Sequence, residues 1–387
     1  MMATIMTVIP GFLIGALAVQ VRQDLDVGEA VYGWAFGSFF LAAMIGSIVL
    51  GKVAQNIGPR RQIVGALVVS SIASAIIALA ASSFAVLVGA LAISGLANSG
   101  NQSAVNLLLT QAKLPRLGMA IALKQSGMPL AALLGGLSVP AIATTIGWEW
   151  GYGICALGAL ATAAVVWLKA PTEVSSRKRQ RAEPTTPKQA LLIASVGFGC
   201  LAAAAGSLNA WLVSSAHEHA GIADRPAGLL LSLGAGFGVA VRLAIGTRLD
   251  AMTRSPFTLA AALSSVGAVG VLLLAIPSQG ITVAATVIAF GSGWVWPVLT
   301  NFGIVRANAH AAAAATGLTQ TGVYIGVFAG PLLSGYLIDW FGYGPMWIVI
   351  AAIMVVGAVV VARTSSSIDT GRSARDASVW GAASPTV

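Results

Sequence analysis

The sequence predicts an all-α membrane protein: twelve transmembrane helices arranged as two parallel six-helix repeats. Three observations carry that expectation. Only 9% of the 387 residues are charged while 57% are hydrophobic, where a soluble domain carries roughly 25% charge. The apolar runs are continuous and reach the roughly 20 residues a helix needs to cross a hydrocarbon core. Glycines and amides of the first half also recur in the second at one constant offset. A soluble fold of this composition would expose apolar surface beyond what a monomer tolerates, which argues against a nucleic-acid enzyme, a secreted disulfide scaffold and a disordered chain. The short alternating segments of a membrane β-barrel are absent.

An ionised side chain at the bilayer centre costs about 2.5 to 3.5 kcal/mol, so charge-free runs mark the spans. The first covers 3–21. Ala16-Leu17-Ala18 resembles a signal-peptidase site, but no Lys or Arg precedes the run and the segment has a counterpart later in the chain, so it is read as a span. The second, 31–50, follows the acidic loop Asp24, Asp26 and Glu29. Gln62 to Ala112 carries no charge and divides at Ala81-Ser82-Ser83 into 63–81 and 85–109. Spans 119–142 and 150–168 complete the first half, residues 1–169. The linker 170–189 holds Pro171, Pro184 and Pro187 among charges and cannot continue a membrane helix. The second half, 190–363, begins with 190–214 and 226–246. Ser255 to Val305 is again charge-free and divides at Pro277-Ser278-Gln279-Gly280 into 257–276 and 281–304, before 315–338 and 345–362. The Ser- and Ala-rich stretch 364–387 reads as a disordered tail.

Orientation follows from the loops. With both termini cytoplasmic, every loop Lys and Arg except Arg22 and Arg225 falls on the inner side, the pattern expected of a multi-pass protein of a plasma or bacterial inner membrane. The same rule accounts for the net charge of +9 and for the Arg177-Lys178-Arg179 cluster, so no nucleic-acid partner is expected. Cys155 and Cys200 lie in apolar runs, and His217, His219 and His310 lack ligand spacing; no metal or cofactor is expected.

The offset pairs Gly11 with Gly206, Gly33 with Gly228, Gly51 with Gly246, Gly127 with Gly322, Gly135 with Gly330 and Gly147 with Gly342. It also pairs Asn106 with Asn301 and lays Leu123-Lys124-Gln125-Ser126-Gly127 over Leu318-Thr319-Gln320-Thr321-Gly322. Parallel halves related by an axis along the membrane normal require such a match. Between the second and third spans stands GKVAQNIGPRR, Gly51 to Arg61, and GTRLDAMTR, Gly246 to Arg254, occupies the equivalent place. Twelve spans, two parallel halves and this repeated loop resemble the major facilitator superfamily, whose signature there is Gly-x-x-x-Asp-Arg/Lys-x-Gly-Arg-Arg/Lys. The resemblance covers nearly the whole chain and implies a secondary transporter working by alternating access. It assigns Gly51, Gln55, Gly58, Arg60, Arg61, Gly246 and Asp250 to a conformational latch. Gln55 stands where the family has its acid, so the first copy lacks the charged form of the latch while Asp250 keeps it in the second.

All twelve acids fall outside the spans or at their rims, whereas Lys124 and Arg242 fall inside. Unpaired intramembrane cations are costly facing lipid and point to an anionic visitor. Arg242, in the last turns of its span, has the competing reading of a cation that pairs with Asp250 or snorkels to the headgroups; Lys124, near the start of its helix, sits at the disfavoured end of the dipole. The resemblance implies that the fifth and eighth spans, which carry them, pack together beside the pathway. Arg242-x-x-x-Gly246 is also similar to the eighth span of the monocarboxylate, oxalate/formate and cyanate permease branches, where a basic residue meets the substrate carboxylate. Gln125, Asn209, Gln320, Tyr324, Trp294 and Asn98 are further candidates for the wall, each with the competing reading of an interhelical hydrogen bond.

The expected function is transport of a small, anionic organic solute by a monomer in the lipid bilayer. An efflux antiporter for amphipathic drugs is the alternative, favoured by the aromatic residues and by Gly330-Pro331-x-x-x-Gly335. A receptor or structural membrane protein has no soluble sensor domain or large loop to support it. The chain shows no catalytic triad, Walker loop or Rossmann turn, so an enzyme is not expected.

Overall fold

A computed structural model describes residues 1–111, 116–169, 184–308 and 311–381, and among them every regular element is helical. The spans coincide with the apolar runs because a chain in hydrocarbon must satisfy each backbone group within its own helix. α1 (Met2–Ala16) and α2 (Ala18–Leu25) form a pair bent by 68°, where the sequence suggested one continuous span over 3–21. The apolar run gives way to Gln20, Arg22, Gln23 and Asp24 there, and α2 turns aside to carry them along the end of the bundle. α3 (Glu29–Ile57), α4 (Pro59–Ala80) and α5 (Phe84–Gln111) are single helices. The fifth span is composite: α6 (Leu117–Gln125) and α7 (Gly127–Ser138) are followed by a π-helical turn at Val139–Ala143 and by α8 (Thr144–Ile146). α9 (Glu149–Lys169) closes the first half.

The second half repeats the plan with α10 (Lys188–Ser214), α11 (Asp224–Gly246), α12 (Pro256–Leu273), α13 (Gln279–Ile288), a π-turn at Ala289–Gly293, α14 (Trp296–Ala307), α15 (Ala312–Phe341) and α16 (Tyr343–Gly381). Among the described residues eleven helices are long and apolar enough to cross a membrane, and the bent pair makes twelve. The chain is a multi-span membrane protein. Residues 170–183 of the linker, Lys113, His310 and 382–387 lie outside the described residues, as do the side chains of Gly51 and Gln55. The backbone of α16 stays helical to Gly381, well past Thr364, where the sequence suggested a disordered tail. No proline interrupts the stretch, the first being Pro385.

The duplication is visible in the backbone. Gly147 and Gly342, paired by the offset, both take positive φ, +106° and +81°, at turns between successive spans. α7 packs on α1, with Gly127 against Thr4, as α15 packs on α10, where a Cβ on Gly322 would collide with the Ser195 carbonyl. Across the halves, α7 packs on α11 and α3 on α15. Ser232 Oγ donates to the Leu133 carbonyl at 2.8 Å, and a Cβ at Gly33 would stand 3.2 Å from the Pro331 carbonyl oxygen. Large apolar side chains such as Leu79, Leu157 and Trp340 remain at the perimeter, more than two-thirds exposed, as a lipid-facing surface requires.

The two ends differ in charge. One, the basic face, carries the turn after α3 with Arg60 and Arg61 and the turn after α11 with Arg248 and Arg254. The other, the acidic face, carries Asp24, Glu29, Glu218 and Asp339 and is stitched across the halves. Arg22 pairs with Glu29 and, at 2.8 Å, with Glu218. Tyr343 donates to Glu218 at 3.1 Å, and the Ala30 amide donates to Asp339 at 3.2 Å. Beneath these, the Tyr32 and Trp211 rings meet edge to face 6.0 Å apart, while Trp211 Nε1 donates to the Pro331 carbonyl at 2.9 Å.

Candidate functional site

Between the halves lies a cavity of about 100 Å³. Lys124, Arg242, Gln125, Asn209, Trp294, Gln320 and Tyr324, all singled out from the sequence, line it together. Asn98 does not. It is 1% exposed and accepts a 3.4 Å hydrogen bond from Thr7 Oγ1, so it ties α5 to α1 behind the wall, the competing role that buried amides in bundles often take.

Offset-related residues line the cavity in pairs: Asn106 and Asn301, Gln125 and Gln320, Lys124 and Thr319. The cavity therefore sits on the pseudo-symmetry axis, and at the last pair one half presents an ammonium where the other presents a hydroxyl. The polar side chains are partly tied to one another. Gln320 donates to Asn301 Oδ1 at 3.3 Å, Asn301 donates to the Pro297 carbonyl at 2.8 Å, and Gln125 reaches the same carbonyl at 3.5 Å.

The two cations differ. Lys124 is half-buried on the wall, and among the described residues its ammonium makes no hydrogen bond or ion pair. Arg242 is 1% exposed and committed to backbone. Its guanidinium donates to the Trp294 carbonyl from Nε at 3.1 Å and from a terminal nitrogen, and to the Gln125 carbonyl from the other. The group also lies 5.0 Å from the centroid of the Trp294 ring. Both carbonyls stand at breaks: Gln125 ends α6 one residue before α7 begins, and Trp294 follows the π-turn before α14. Such breaks free backbone acceptors that a membrane interior cannot hydrate. One planar fork with several donors serves two of them, one in each half. Asp250, the partner the sequence offered Arg242, is bound elsewhere.

Asp250 accepts hydrogen bonds from the Gly118 amide at 3.0 and 3.2 Å, placing its carboxylate at the N-terminus of α6 across the interface. The position suits the positive end of the helix dipole. Gly246 packs against Ala122 beside it, and Gly58 takes φ +85° at the first-half turn, a conformation that favours glycine. Arg60 lies 4.8 Å from the Trp167 ring centroid and donates to the Trp167 carbonyl, so it is tied within its own half.

Sequence reasoning missed the aromatic side of the wall: Phe12, Phe36, Phe40 and Phe198. Phe36 and Phe40 stack with centroids 5.1 Å apart, and Phe12 meets Trp294 at 5.9 Å. Nothing in an apolar run separates a wall phenylalanine from a packing one. Asn106 was also overlooked as a wall residue, although its pairing with Asn301 flagged it. Among the described residues, no Asp or Glu lines the cavity and no cluster of His, Cys, Asp and Glu could hold a metal ion.

The family model of the Major Facilitator Superfamily matches residues 1–331. The chain belongs to the major facilitator superfamily. Similar to this facilitator are a chloramphenicol resistance protein of Streptomyces lividans, 26% identical and covering 91% of each chain, and the uncharacterized transporter YycB of Bacillus subtilis strain 168, 25% identical over 89% of this chain and 87% of that one. Among solved structures, a bacterial homologue of the human lysosomal transporter Spinster matches in its inward-facing, unoccupied form with TM-score 0.69 at 15% identity, covering 95% of this chain and 96% of that one. Its inward-facing, occupied form matches with TM-score 0.67 at 16% identity, covering 96% and 94%. These likenesses show the transporter fold.

Proposed function

We propose that this facilitator moves a small organic anion across a plasma or bacterial inner membrane by alternating access, as a monomer with the basic face and both termini cytoplasmic. The observation that carries the reading is Lys124: a cavity-wall ammonium, without a partner among the described residues, in a site with no lining carboxylate. A buried charge of this kind is costly until a counter-charge arrives, and the cost favours an anion over a neutral or cationic solute. Arg242, held by the carbonyls of two helix breaks, adds positive potential and fixes the wall's shape. The basic-face loops supply the positive-inside asymmetry.

The second reading, efflux of amphipathic uncharged compounds, draws on the aromatic wall and on the likeness to a chloramphenicol resistance protein. Uptake of a labelled monocarboxylate panel into proteoliposomes separates the two. Competition by carboxylates, with none by lipophilic cations or uncharged aromatics, is the expected result. Undiminished anion transport by Lys124→Gln sinks the assignment.

A further inference from the structure

One backbone carbonyl orients the amides of the cavity wall. Asn301 Nδ2 donates to the Pro297 carbonyl at 2.8 Å, and Gln125 Nε2 reaches the same oxygen at 3.5 Å. A carbonyl only accepts, so it fixes which end of each amide is the nitrogen. Asn301 thereby presents Oδ1 to Gln320, whose Nε2 donates to it at 3.3 Å. The chain of bonds ends on two carboxamide oxygens, Gln125 Oε1 and Gln320 Oε1, which stand at offset-related positions, one in each half.

These two oxygens have no hydrogen-bond partner among the described residues, and packing does not seal them off. The same holds for Lys124 Nζ and Tyr324 Oη, and all four side chains are half-buried groups of the wall. Gln320, Tyr324 and Val327 follow one face of α15 and all line the cavity, so that face is turned towards it. The remaining polar groups are out of a solute's reach: Trp296 Nε1 and Asn209 Oδ1 are fully buried, and each nitrogen of Arg242 is already on a carbonyl. Phe12, Phe36 and Phe40 are at most 4% exposed, so they shape the cavity but offer a solute little surface.

A bound solute therefore meets two donors, one of them charged, and two acceptors. A plain aliphatic carboxylate answers the donors and leaves both carboxamide oxygens without a partner, whereas a hydroxyl group donates to them. A second carboxylate finds no second free cation on the wall and is repelled by the same oxygens. Resting on the anion reading above, we propose that the cargo is a small hydroxylated monocarboxylate. Its carboxylate accepts from Lys124 and Tyr324, and its hydroxyl groups donate to Gln125 Oε1 and Gln320 Oε1.

The test is calorimetric titration of the purified full-length protein with four three-carbon compounds: glycerate, propionate, malonate and glycerol. Glycerate is expected to bind most tightly, propionate and malonate each about tenfold more weakly, and glycerol not detectably. Gln125→Leu and Gln320→Leu each lower the ratio of glycerate to propionate affinity several-fold, and the double variant brings it close to one. Tyr324→Phe removes a donor to the carboxylate and weakens both acids by the same factor, leaving the ratio as in the wild type. Propionate or malonate binding as tightly as glycerate, or a glycerate preference that survives the double variant, overturns the proposal and leaves the anion reading intact. Glycerol binding where no carboxylate binds overturns both. If the double variant does not fold, the wild-type series and the single variants decide.

Discussion

Lys124 and Arg242 are the same charge put to different uses, and stability should separate them. Lys124 stabilises nothing visible in the fold, so Lys124→Met removes an uncompensated buried charge. Its melting midpoint in detergent is expected to match or exceed that of the wild type while transport falls at least tenfold, the trade-off usual for strained functional sites. Arg242→Lys keeps the charge but loses the planar fork that reaches both the Gln125 and Trp294 carbonyls. Leaving a buried acceptor unpaired costs about 1–3 kcal/mol, so this variant should melt several degrees lower. A melting curve for each decides: loss of stability in Lys124→Met, or none in Arg242→Lys, reverses the two roles. The sequence marked both cations because lipid makes intramembrane charge conspicuous. It gave Arg242 a competing structural reading but not its partners, since these are carbonyls freed by breaks in two other spans, and a backbone acceptor has no side-chain signature.

Among the elements, whole spans were legible and their interruptions were not. Continuous hydrophobicity suffices for a helix in hydrocarbon, which is why the expected segments fall within a few residues of α4, α5, α9 to α12 and α15, whereas α3 runs on to Ile57 and α16 to Gly381. The bend at Leu17, the break at Ser126 and the π-turn at Ala289–Gly293 depend on what packs alongside. The repeated loop was legible as a pair of motifs, and the structure shows what one copy does: the Asp250 carboxylate holds the N-terminus of α6. A carboxylate at a helix start is worth roughly 1 kcal/mol, and one at a cross-half contact biases the equilibrium between states by that amount. Asp250→Asn should therefore shift the basic-face contact towards opening by about fivefold. Spectroscopic distance measurements between labels on α6 and the α11–α12 turn report the change, and an unaltered distance distribution contradicts it.

At the scale of the molecule, alternating access requires that the two faces compete. In this structure the acidic face is closed by a cross-half network in which Arg22 is 14% exposed and separates the carboxylates of Glu29 and Glu218. Arg22→Gln removes the cation and leaves acids from both halves facing one another near Asp339, so closure loses an attraction and gains a repulsion. Opposite it, the first-half loop offers Gln55 where Asp250 sits in the second half. Gln55→Asp restores the acid of the motif in the first copy and is expected to stabilise closure of the basic face, as the family resemblance implies. The two changes act on different faces but push the same equilibrium towards a state open at the acidic face, and far-apart sites without shared partners add in free energy. Each is expected to shift the population by several-fold and the double variant by their product. With Cys155 and Cys200 replaced by Ala, the readout is the reactivity of Val327→Cys, on the cavity wall, towards an impermeant thiol reagent applied from the acidic face. Single variants that each raise the labelling rate, with a double variant no faster than either, would mean that the faces are not coupled through one two-state motion.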